Sequence, residues 1–410
     1  MRHFILLTAA MAALSLGCTS CEKIGDGPGN NPYKALELST KSAEFARQGN
    51  DFAFHFIDRI NASTSEDYVV SPLSMQFLLG MLLEGANGQT ADEICSVLGY
   101  GAGEKEAVNE YCLSMLQQLP GLDKKTKLSI ADAIVVNRKF SILDSYKETV
   151  GHYYQAEVSN LDFNDTAGTL KKINKWCSDH TQGMIPKVLK QVNPGAVVYL
   201  LNALYFKSEW SQKFPKGNTA REPFTMDSGA KSQVPMMKIE DDFYYQDNDL
   251  FRAVSLPYGN GAFSMTVILP VEGKTLSDVT AQLDGKAWAD FAASMVRCDV
   301  DLWLPKFETR FHVDLNDILS AMGMPAAFNP LLADFSSLAH GALCLSFVQQ
   351  DAVIKVDEEG TEAAAVSVAG MTLAAGPGQY IVFHADRPFL YLISEKSSGA
   401  VLFAGRYSGK

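Results

Sequence analysis

Residues 358–378 read EEGTEAAAVSVAGMTLAAGPG. Residues 360–378 are mostly Ala, Val, Gly, Thr and Ser, with a single charge at Glu362. The neighbouring residues 352–356 and 381–383 have the composition of strands. About twenty residues without regular structure are uncommon inside a compact domain and usually serve a function. We therefore expect an exposed functional loop between two strands.

Apolar periodicity predicts helices in the first half of the chain and strands in the second. The predicted helices cover residues 42–60, 72–83, 90–99, 145–154 and 170–181. Ser71 and Pro72 would begin the second helix as N-cap and first-turn residue, and Thr90 with Glu93 would form a capping box for the third. The predicted strands cover residues 128–136, 197–206, 253–256, 264–269, 300–304, 343–348, 352–356, 381–383, 389–395 and 401–407. This order favours one α+β domain over residues 42–410.

Composition and motifs argue against several classes of function. The net charge of −12 disfavours a nucleic-acid groove, which needs clustered Lys and Arg to meet phosphate. The sequence contains no GxSxG elbow, HExxH helix or Walker loop, so it offers no familiar catalytic motif. The cysteines of the body show no metal-ligand spacing, and Cys95, Cys112 and Cys177 are expected to be buried free thiols. No cofactor or metal is predicted, and an enzyme of unknown type stays a remote alternative.

The N-terminus resembles an export signal. Residues 1–17 contain an apolar run too short to span a bilayer comfortably, and are interpreted as a signal peptide. The small residue before Cys18 resembles a bacterial lipoprotein cleavage site, at which Cys18 would be acylated; Cys21 and a plain secretory signal are the alternatives. Residues 18–41 are predicted to be a flexible tether. The expected location is the bacterial envelope, at the outer membrane or in the periplasm, or alternatively outside the cell, with membrane contact only through the lipid.

A series of short motifs runs from residue 42 to the C-terminus: NDFAF at 50–54, VSPLS at 70–74, EGANGQT at 84–90, INKW at 173–176, NALYFK at 202–207, VPMM at 234–237, LPY at 256–258, LPKF at 304–307, EEGTEAAA at 358–365 and ADRPF at 385–389. In these motifs and their order the sequence resembles the serpin family. The resemblance implies an α+β fold of three β-sheets and eight or nine helices. It also implies a metastable native state whose exposed reactive loop inserts as an extra strand into the largest sheet, and an inhibitor rather than an enzyme.

The resemblance places the reactive loop at about residues 358–380, with a hinge at its start. The hinge residues would be Glu358, Glu359, Gly360, Thr361, Glu362, Ala363, Ala364 and Ala365. Strand alternation would send small side chains to one face of the inserting strand, namely Thr361, Ala363, Ala365, Ser367 and Ala369. Because insertion would bury no charge on that face, the hinge favours an inhibitor. The alternative is a non-inhibitory relative that acts as a binding or chaperone module.

The family's usual spacing from Glu358 places the scissile residue at Ala374, followed by Ala375. Leu373 and Thr372 remain alternatives because loop lengths vary. Small side chains suit elastase-like or broad subtilisin-like proteases, whereas Leu373 would suit chymotrypsin-like or cysteine proteases. The loop contains no Lys or Arg, which argues against trypsin-like targets. The expected partner is a target protease held as an acyl-enzyme.

The resemblance further implies a polar cluster that controls opening of the largest sheet. The cluster would comprise Ser71, Ser74, Asn202 and Gln350, with Trp210 guarding the top of the sheet. Most family members have histidine at the position of Gln350, and glutamine keeps a donor and an acceptor while losing a titratable group. Ordinary helix capping and core packing are the alternative roles for these residues.

Overall fold

The computed structural model describes residues 31–101, 103–346, 348–361 and 381–410. Within them, helices α1–α9 cover, in order, Thr40–Ser63, Pro72–Gly85, Gly88–Leu98, Lys105–Gln118, Asp144–Tyr153, Thr166–His180, Leu276–Thr280, Gly285–Ser294 and Asn316–Met322. Strands β1–β15 cover, in order, Tyr68–Val70, Lys127–Asn137, Glu157–Leu161, Val198–Glu209, Ala220–Thr225, Lys231–Asp247, Phe251–Tyr258, Phe263–Pro270, Val296–Pro305, Phe307–Asp314, Gln349–Asp357, Gly360–Thr361, Ile381–His384, Phe389–Glu395 and Val401–Tyr407. The predicted α+β order is confirmed.

The main sheet has six strands in the order β10-β11-β12-β4-β2-β3. Short strand β12 lies between β11 and β4 at one end, where Thr361 pairs with Val356 on one side and with Ser208 on the other. Over the rest of their length, β4 and β11 share no hydrogen-bonded ladder within the described residues. We call this boundary between β4 and β11 the seam.

The second sheet has nine strands, in the order β1-β15-β14-β8-β7-β6-β9-β13 with β5 paired to β6. Strand β6 joins two groups of strands because its start, from Lys231 to Met236, pairs with β5, whereas its end, from Tyr244 to Asp247, pairs with β7. The described strands therefore form two hydrogen-bonded sheets, where three were expected. The long strand β6 joins β5 to the other strands of the second sheet.

The main sheet is covered on both faces. Helix α2 is apolar on every side and almost entirely buried, and it packs against β4 and β15. Ser71 caps this helix as predicted, since its Oγ accepts a hydrogen bond from the Ser74 amide. On the opposite face, a smaller apolar cluster brings Ile173 of α6 against Ala133 of β2 and Tyr199 of β4. On that face the cluster covers β2 and β4, on one side of the seam.

Two local predictions are wrong. Thr90 and Glu93 do not form a capping box, because α3 begins earlier and both side chains serve distant loops: Thr90 Oγ1 accepts from the Asp334 amide and Glu93 from the Ala326 amide. The predicted strand at 343–348 is an irregular segment where the structure describes it, since loop partners take up its backbone donors. The described apolar residues of this segment, Leu343, Leu345 and Val348, are buried in the core without pairing to a neighbouring strand.

Residues 31–39, which fell in the predicted tether, lie against the domain. The Asn31 side chain donates to Asp123 Oδ1 at 2.7 Å and accepts from the Lys124 amide at 3.0 Å. Tyr33, Leu36 and Leu38 pack against the main core, which explains why this part is held. Residues 31–39 therefore pack with the domain, although the predicted boundary placed them in the tether. The predicted signal peptide, Cys18, Cys21 and the rest of the tether lie outside the described residues, and no described helix is long and apolar enough to cross a membrane.

Candidate functional site

The candidate site is the start of the predicted reactive loop together with the seam beside it. Four predicted hinge residues, Glu358 to Thr361, belong to the described part of the chain. The remaining hinge residues, Glu362, Ala363, Ala364 and Ala365, lie outside the described residues, as do the reactive-bond candidates Thr372, Leu373, Ala374 and Ala375. The geometry of the hinge is therefore known at its fixed end, where the loop leaves β11.

Gly360 occupies a position that no other residue could share without displacing backbone. Its φ is +153°, and a Cβ atom added to it would lie 2.0 Å from the carbonyl oxygen of Ser208. Gly360 pairs with Asp357 of β11 on one side and Glu209 of β4 on the other. Glycine is required here because two neighbouring strands approach its backbone at once.

Thr361 is the first inward residue of the predicted inserting strand, and it is already buried, with 1% of its surface exposed. Its Oγ1 forms a hydrogen bond of 2.5 Å with the hydroxyl of Tyr258, which is also fully buried. Thr361 therefore already lies in the core of the sheet in this structure, and its role during loop insertion stays a prediction. A small side chain with one hydroxyl fits this place because Tyr258 satisfies its polar atom.

Trp210 contacts the hinge directly. Its indole Nε1 donates to the carbonyl oxygen of Asp357 at 2.9 Å, and its backbone N–H donates to the carbonyl oxygen of Glu359 at 2.9 Å. The indole ring stacks on Tyr258 with ring centroids 4.4 Å apart. Trp210 is therefore a buried core side chain that also fixes the end of β11.

The Glu359 carboxylate is held by two lysines from the connection between β4 and β5. Lys213 Nζ and Lys216 Nζ each lie 2.9 Å from a different oxygen of Glu359. The hydrogen bond from Lys213, followed by that from Lys216, lowers the pKa of this glutamate below its ordinary value. Glu359 is consequently a charged anchor for the hinge.

The Glu358 carboxylate has a separate pair of partners. Lys306 Nζ lies 2.8 Å from one oxygen, and Thr219 Oγ1 donates to the other at 2.9 Å. Burial acts to raise the pKa of Glu358, but the hydrogen bonds from Lys306 and Thr219 outweigh burial and hold the pKa below its ordinary value. Lys306 belongs to the LPKF motif, yet nothing in the sequence indicated which carboxylate it would meet.

We expect the two glutamates to make the native hinge sensitive to acid. A carboxyl group whose pKa is lowered by folding stabilises the folded state above its unfolded pKa of about 4.3, and that stabilisation is lost as the pH falls through the folded pKa. The thermal midpoint of a variant with Glu358→Gln and Glu359→Gln should lie below that of the wild type at pH 6, and the difference should shrink toward pH 3. A difference that stays constant over this range would contradict the proposed anchoring charges.

The predicted sheet-opening cluster is divided into two groups across the seam. Gln350 on β11 exchanges two hydrogen bonds with Ser71, accepting from its amide at 2.9 Å and donating to its carbonyl oxygen at 3.0 Å. Ser71 Oγ in turn donates to the carbonyl oxygen of Leu402 at 2.7 Å and caps Ser74. Gln350 thus uses both the donor and the acceptor that were expected of it.

Asn202, on the other side of the seam, does not bond to that group, and in this respect the prediction of one cluster is wrong. Its Nδ2 donates to Asp132 Oδ1 on the neighbouring strand β2 at 2.7 Å. Asp132 was missed by sequence reasoning, although a signal was present. It is a charged residue on the same face of the strand as the apolar Ile130 and Ile134.

The part of the chain that the structure describes contains no group of three or more His, Cys, Asp or Glu side chains arranged to hold a metal ion. Its cysteines are all free thiols: Cys95, Cys112, Cys177, Cys298 and Cys344.

Comparison with known proteins adds a family relationship. One family model, described as Serpin (serine protease inhibitor), matches residues 47–409. Serpin B6 of Macaca fascicularis is 30% identical over 88% of this chain and 98% of its own, and an uncharacterized serpin-like protein of Thermococcus kodakarensis is 30% identical over 99% of this chain and 98% of its own. The native thermophilic serpin tengpin superposes with a TM-score of 0.84 at 29% identity, covering 92% of this chain and 96% of its own. Human thyroxine-binding globulin, solved with thyroxine, superposes with a TM-score of 0.83 at 26% identity, covering 90% of this chain and 100% of its own.

Proposed function

Because this chain belongs to the serpin family, we propose that it is a protease inhibitor that traps its target by inserting its own loop into the main sheet. The expected serpin fold is confirmed by the superpositions, and the family consists mostly of inhibitors. The observation that carries the proposal is the position of Thr361. It lies between β11 and β4, hydrogen-bonded into both, at the end of the seam where an inserting strand must start.

The proposed trap uses the chemistry of the protease. The nucleophilic oxygen of its serine attacks the carbonyl carbon of Ala374, the bond from that carbon to the Ala375 nitrogen breaks, and the nitrogen leaves as an amine with a proton from the protease's base. An ester then joins Ala374 to the protease. A cysteine protease would form the corresponding thioester. The inhibitor supplies no catalytic group.

Insertion competes with hydrolysis of that ester. Backbone groups of β4 and β11 along the seam gain strand partners when the loop enters, and the predicted inward residues are small and uncharged. The hinge supports this movement because Gly360 and Thr361 already lie in the path of the strand. Once the loop has inserted, the attached protease is dragged along and its active site is distorted.

We further propose a target with a shallow specificity pocket, elastase-like or broadly subtilisin-like, on the basis of Ala374 and Ala375. Cleavage after Leu373 would instead point to a chymotrypsin-like or cysteine protease, and cleavage after Thr372 is a further alternative. Export to the bacterial envelope through a lipid on Cys18, or secretion, is the location we propose on the basis of the N-terminal sequence.

A second candidate function has one observation in its favour. Thyroxine-binding globulin, a structural relative at 26% identity, was solved with thyroxine. A non-inhibitory role as a binding or chaperone module would fit such a relative. The small inward face of the predicted hinge favours inhibition, since a module of this kind has no need of a strand that can enter the sheet.

The test is to mix the purified chain, without its predicted signal peptide, with pancreatic elastase and with subtilisin. We expect a band that survives SDS at the summed mass of inhibitor and protease, together with a released C-terminal peptide that begins at Ala375. An Ala374→Arg variant is the matched control, because moving a basic residue to the scissile position should transfer complex formation to trypsin. Cleavage that leaves the protease fully active would support the non-inhibitory alternative.

A further inference from the structure

Asp132 is a buried carboxyl group beside the seam. It lies on β2 directly opposite Asn202 of β4, and only 2% of its surface is exposed. One of its oxygens, Oδ1, accepts the hydrogen bond of 2.7 Å from Asn202 Nδ2. The other, Oδ2, is buried without a hydrogen-bond partner in the described part of the chain. A carboxyl group in such a place is unusual, because burying a charge without a counterion is unfavourable.

We propose that Asp132 is a positioning residue for the opening of the main sheet: its carboxylate draws the Asn202 amide away from the seam, and protonation of that carboxylate releases the amide, so that the loop inserts faster at higher pH. The proposal rests on the proposed function, since it concerns the rate of the same insertion. It adds a titratable group to a site where Gln350 supplies none.

The surroundings of Asp132 contain no compensating cation. Its neighbours on the same face of β2 are Ile130 and Ile134, and no ion pair joins Asp132 to a lysine, arginine or histidine within the described residues. Strand β4 presents Asn202 to it. From α4, the buried Cys112 thiol is close enough for the two groups to influence each other, and the same thiol also feels the carboxyl of Glu84 on α2 and hydrogen-bonds to Tyr154.

On the helix side of β4 lies a buried hydroxyl that we expect the released Asn202 amide to reach. Helix α2 packs against β4, and the Oγ of Ser74 on that helix is buried without a hydrogen-bond partner among the described residues. A hydrogen bond to a carboxylate is stronger than one to a neutral oxygen. Ionised Asp132 therefore retains Asn202, whereas neutral Asp132 holds it only weakly. Asn202 can then tighten the contact between β4 and the start of α2, where Ser71 holds Gln350 of β11.

Burial raises the pKa of Asp132 to about 7, and the hydrogen bond from Asn202 opposes this rise. A carboxyl group whose pKa is raised by folding binds its proton more tightly in the folded state, so the native state loses stability as the pH rises from the unfolded pKa of about 4 to the folded value. Separating the strands at the seam admits water to the carboxylate and relieves this unfavourable burial. The loss of native-state stability and the relief of unfavourable burial both favour opening of the main sheet at higher pH.

The experiment measures insertion without a protease. A synthetic peptide that copies residues 361–374 is mixed with the native protein, and its incorporation into the sheet is followed by tryptophan fluorescence from pH 5.5 to 8.5. In the wild type we expect the rate to rise about tenfold over this range, which corresponds to one pKa unit. Asp132→Asn should give a nearly flat profile, and Asp132→Ser, which also lacks the charge, should do the same if the first variant folds poorly.

Asp351→Asn is the matched control. Asp351 is a half-buried carboxyl group on β11 of the same sheet, but it bonds to His312 at 2.9 Å and has no contact with Asn202. Its variant should keep the wild-type profile. Parallel profiles for the wild type and Asp132→Asn, or a flat profile for Asp351→Asn, would overturn the role of Asp132 while leaving the proposed inhibition intact. If neither the peptide nor a protease causes insertion at any pH, the proposed function itself fails.

Discussion

Replacing Thr361 by arginine is expected to convert the protein from an inhibitor into a substrate. Thr361 is buried between β11 and β4, with Tyr258 as the partner of its hydroxyl. Burying such a charge costs several kcal/mol, and every 1.4 kcal/mol added to the insertion barrier slows insertion about tenfold. Hydrolysis of the acyl-enzyme should then outpace insertion.

The measurement for Thr361→Arg is the ratio of SDS-stable complex to cleaved inhibitor at fixed protease. We expect at least a tenfold fall in complex, with loop cleavage continuing at the wild-type rate. Thr361→Ser is the matched control, because it keeps the hydroxyl that meets Tyr258 and adds no charge. An arginine variant that traps protease as well as the serine variant would show that a charge at position 361 does not slow loop insertion.

Truncation of Trp210 to alanine is expected to destabilise the native state by about 3–5 kcal/mol, the usual range for removing a large buried aromatic side chain. The change removes the stacking contact with Tyr258 and leaves the carbonyl oxygen of Asp357 without its donor. The expected result is a lower midpoint in guanidinium unfolding, followed by far-UV circular dichroism. Because Trp210 contacts the end of β11, the hinge should become more accessible to proteolysis in the same variant.

Trp210→Phe separates the two contributions. Phenylalanine can still stack on Tyr258 but has no indole N–H to donate to Asp357. The free energy of unfolding should therefore fall by only about 1–3 kcal/mol. Equal destabilisation by alanine and phenylalanine would mean that the hydrogen bond, rather than ring packing, is what Trp210 contributes. In that case the stacked pair would be a minor part of the hinge.

The hinge was the most predictable part of the site. Gly360 and Thr361 were predicted as hinge residues, and the absence of Cβ at one and the small side chain of the other explain the close strand approach at Gly360 and the burial of Thr361. The burial of helix α2 was equally predictable, because a helix that is apolar on every side has no polar face to expose to solvent. Such features are encoded locally and can be found without knowing the neighbours.

Contacts between distant segments could not be predicted in this way. The three lysines that hold Glu358 and Glu359 come from connections far away in the sequence, and charged residues of this kind are ordinarily expected at the surface. Asn202 was assigned to the wrong partners because the register of β2 against β4, which places Asp132 opposite it, is a tertiary property. Strands β5 and β6 were missed for a related reason: much of their surface is exposed, so their apolar periodicity is weak.

The attachment of residues 31–38 determines how mechanical load would enter the molecule. A pull on the chain ahead of Asn31 acts first on the bonds of its side chain with Asp123 and the Lys124 amide, and then on the bond between Asn260 and the carbonyl oxygen of Pro32. Bonds loaded one after another break at lower force than bonds that share the same load. Tension on this end of the chain would therefore peel the segment away stepwise before it reached α1 and the core beneath it.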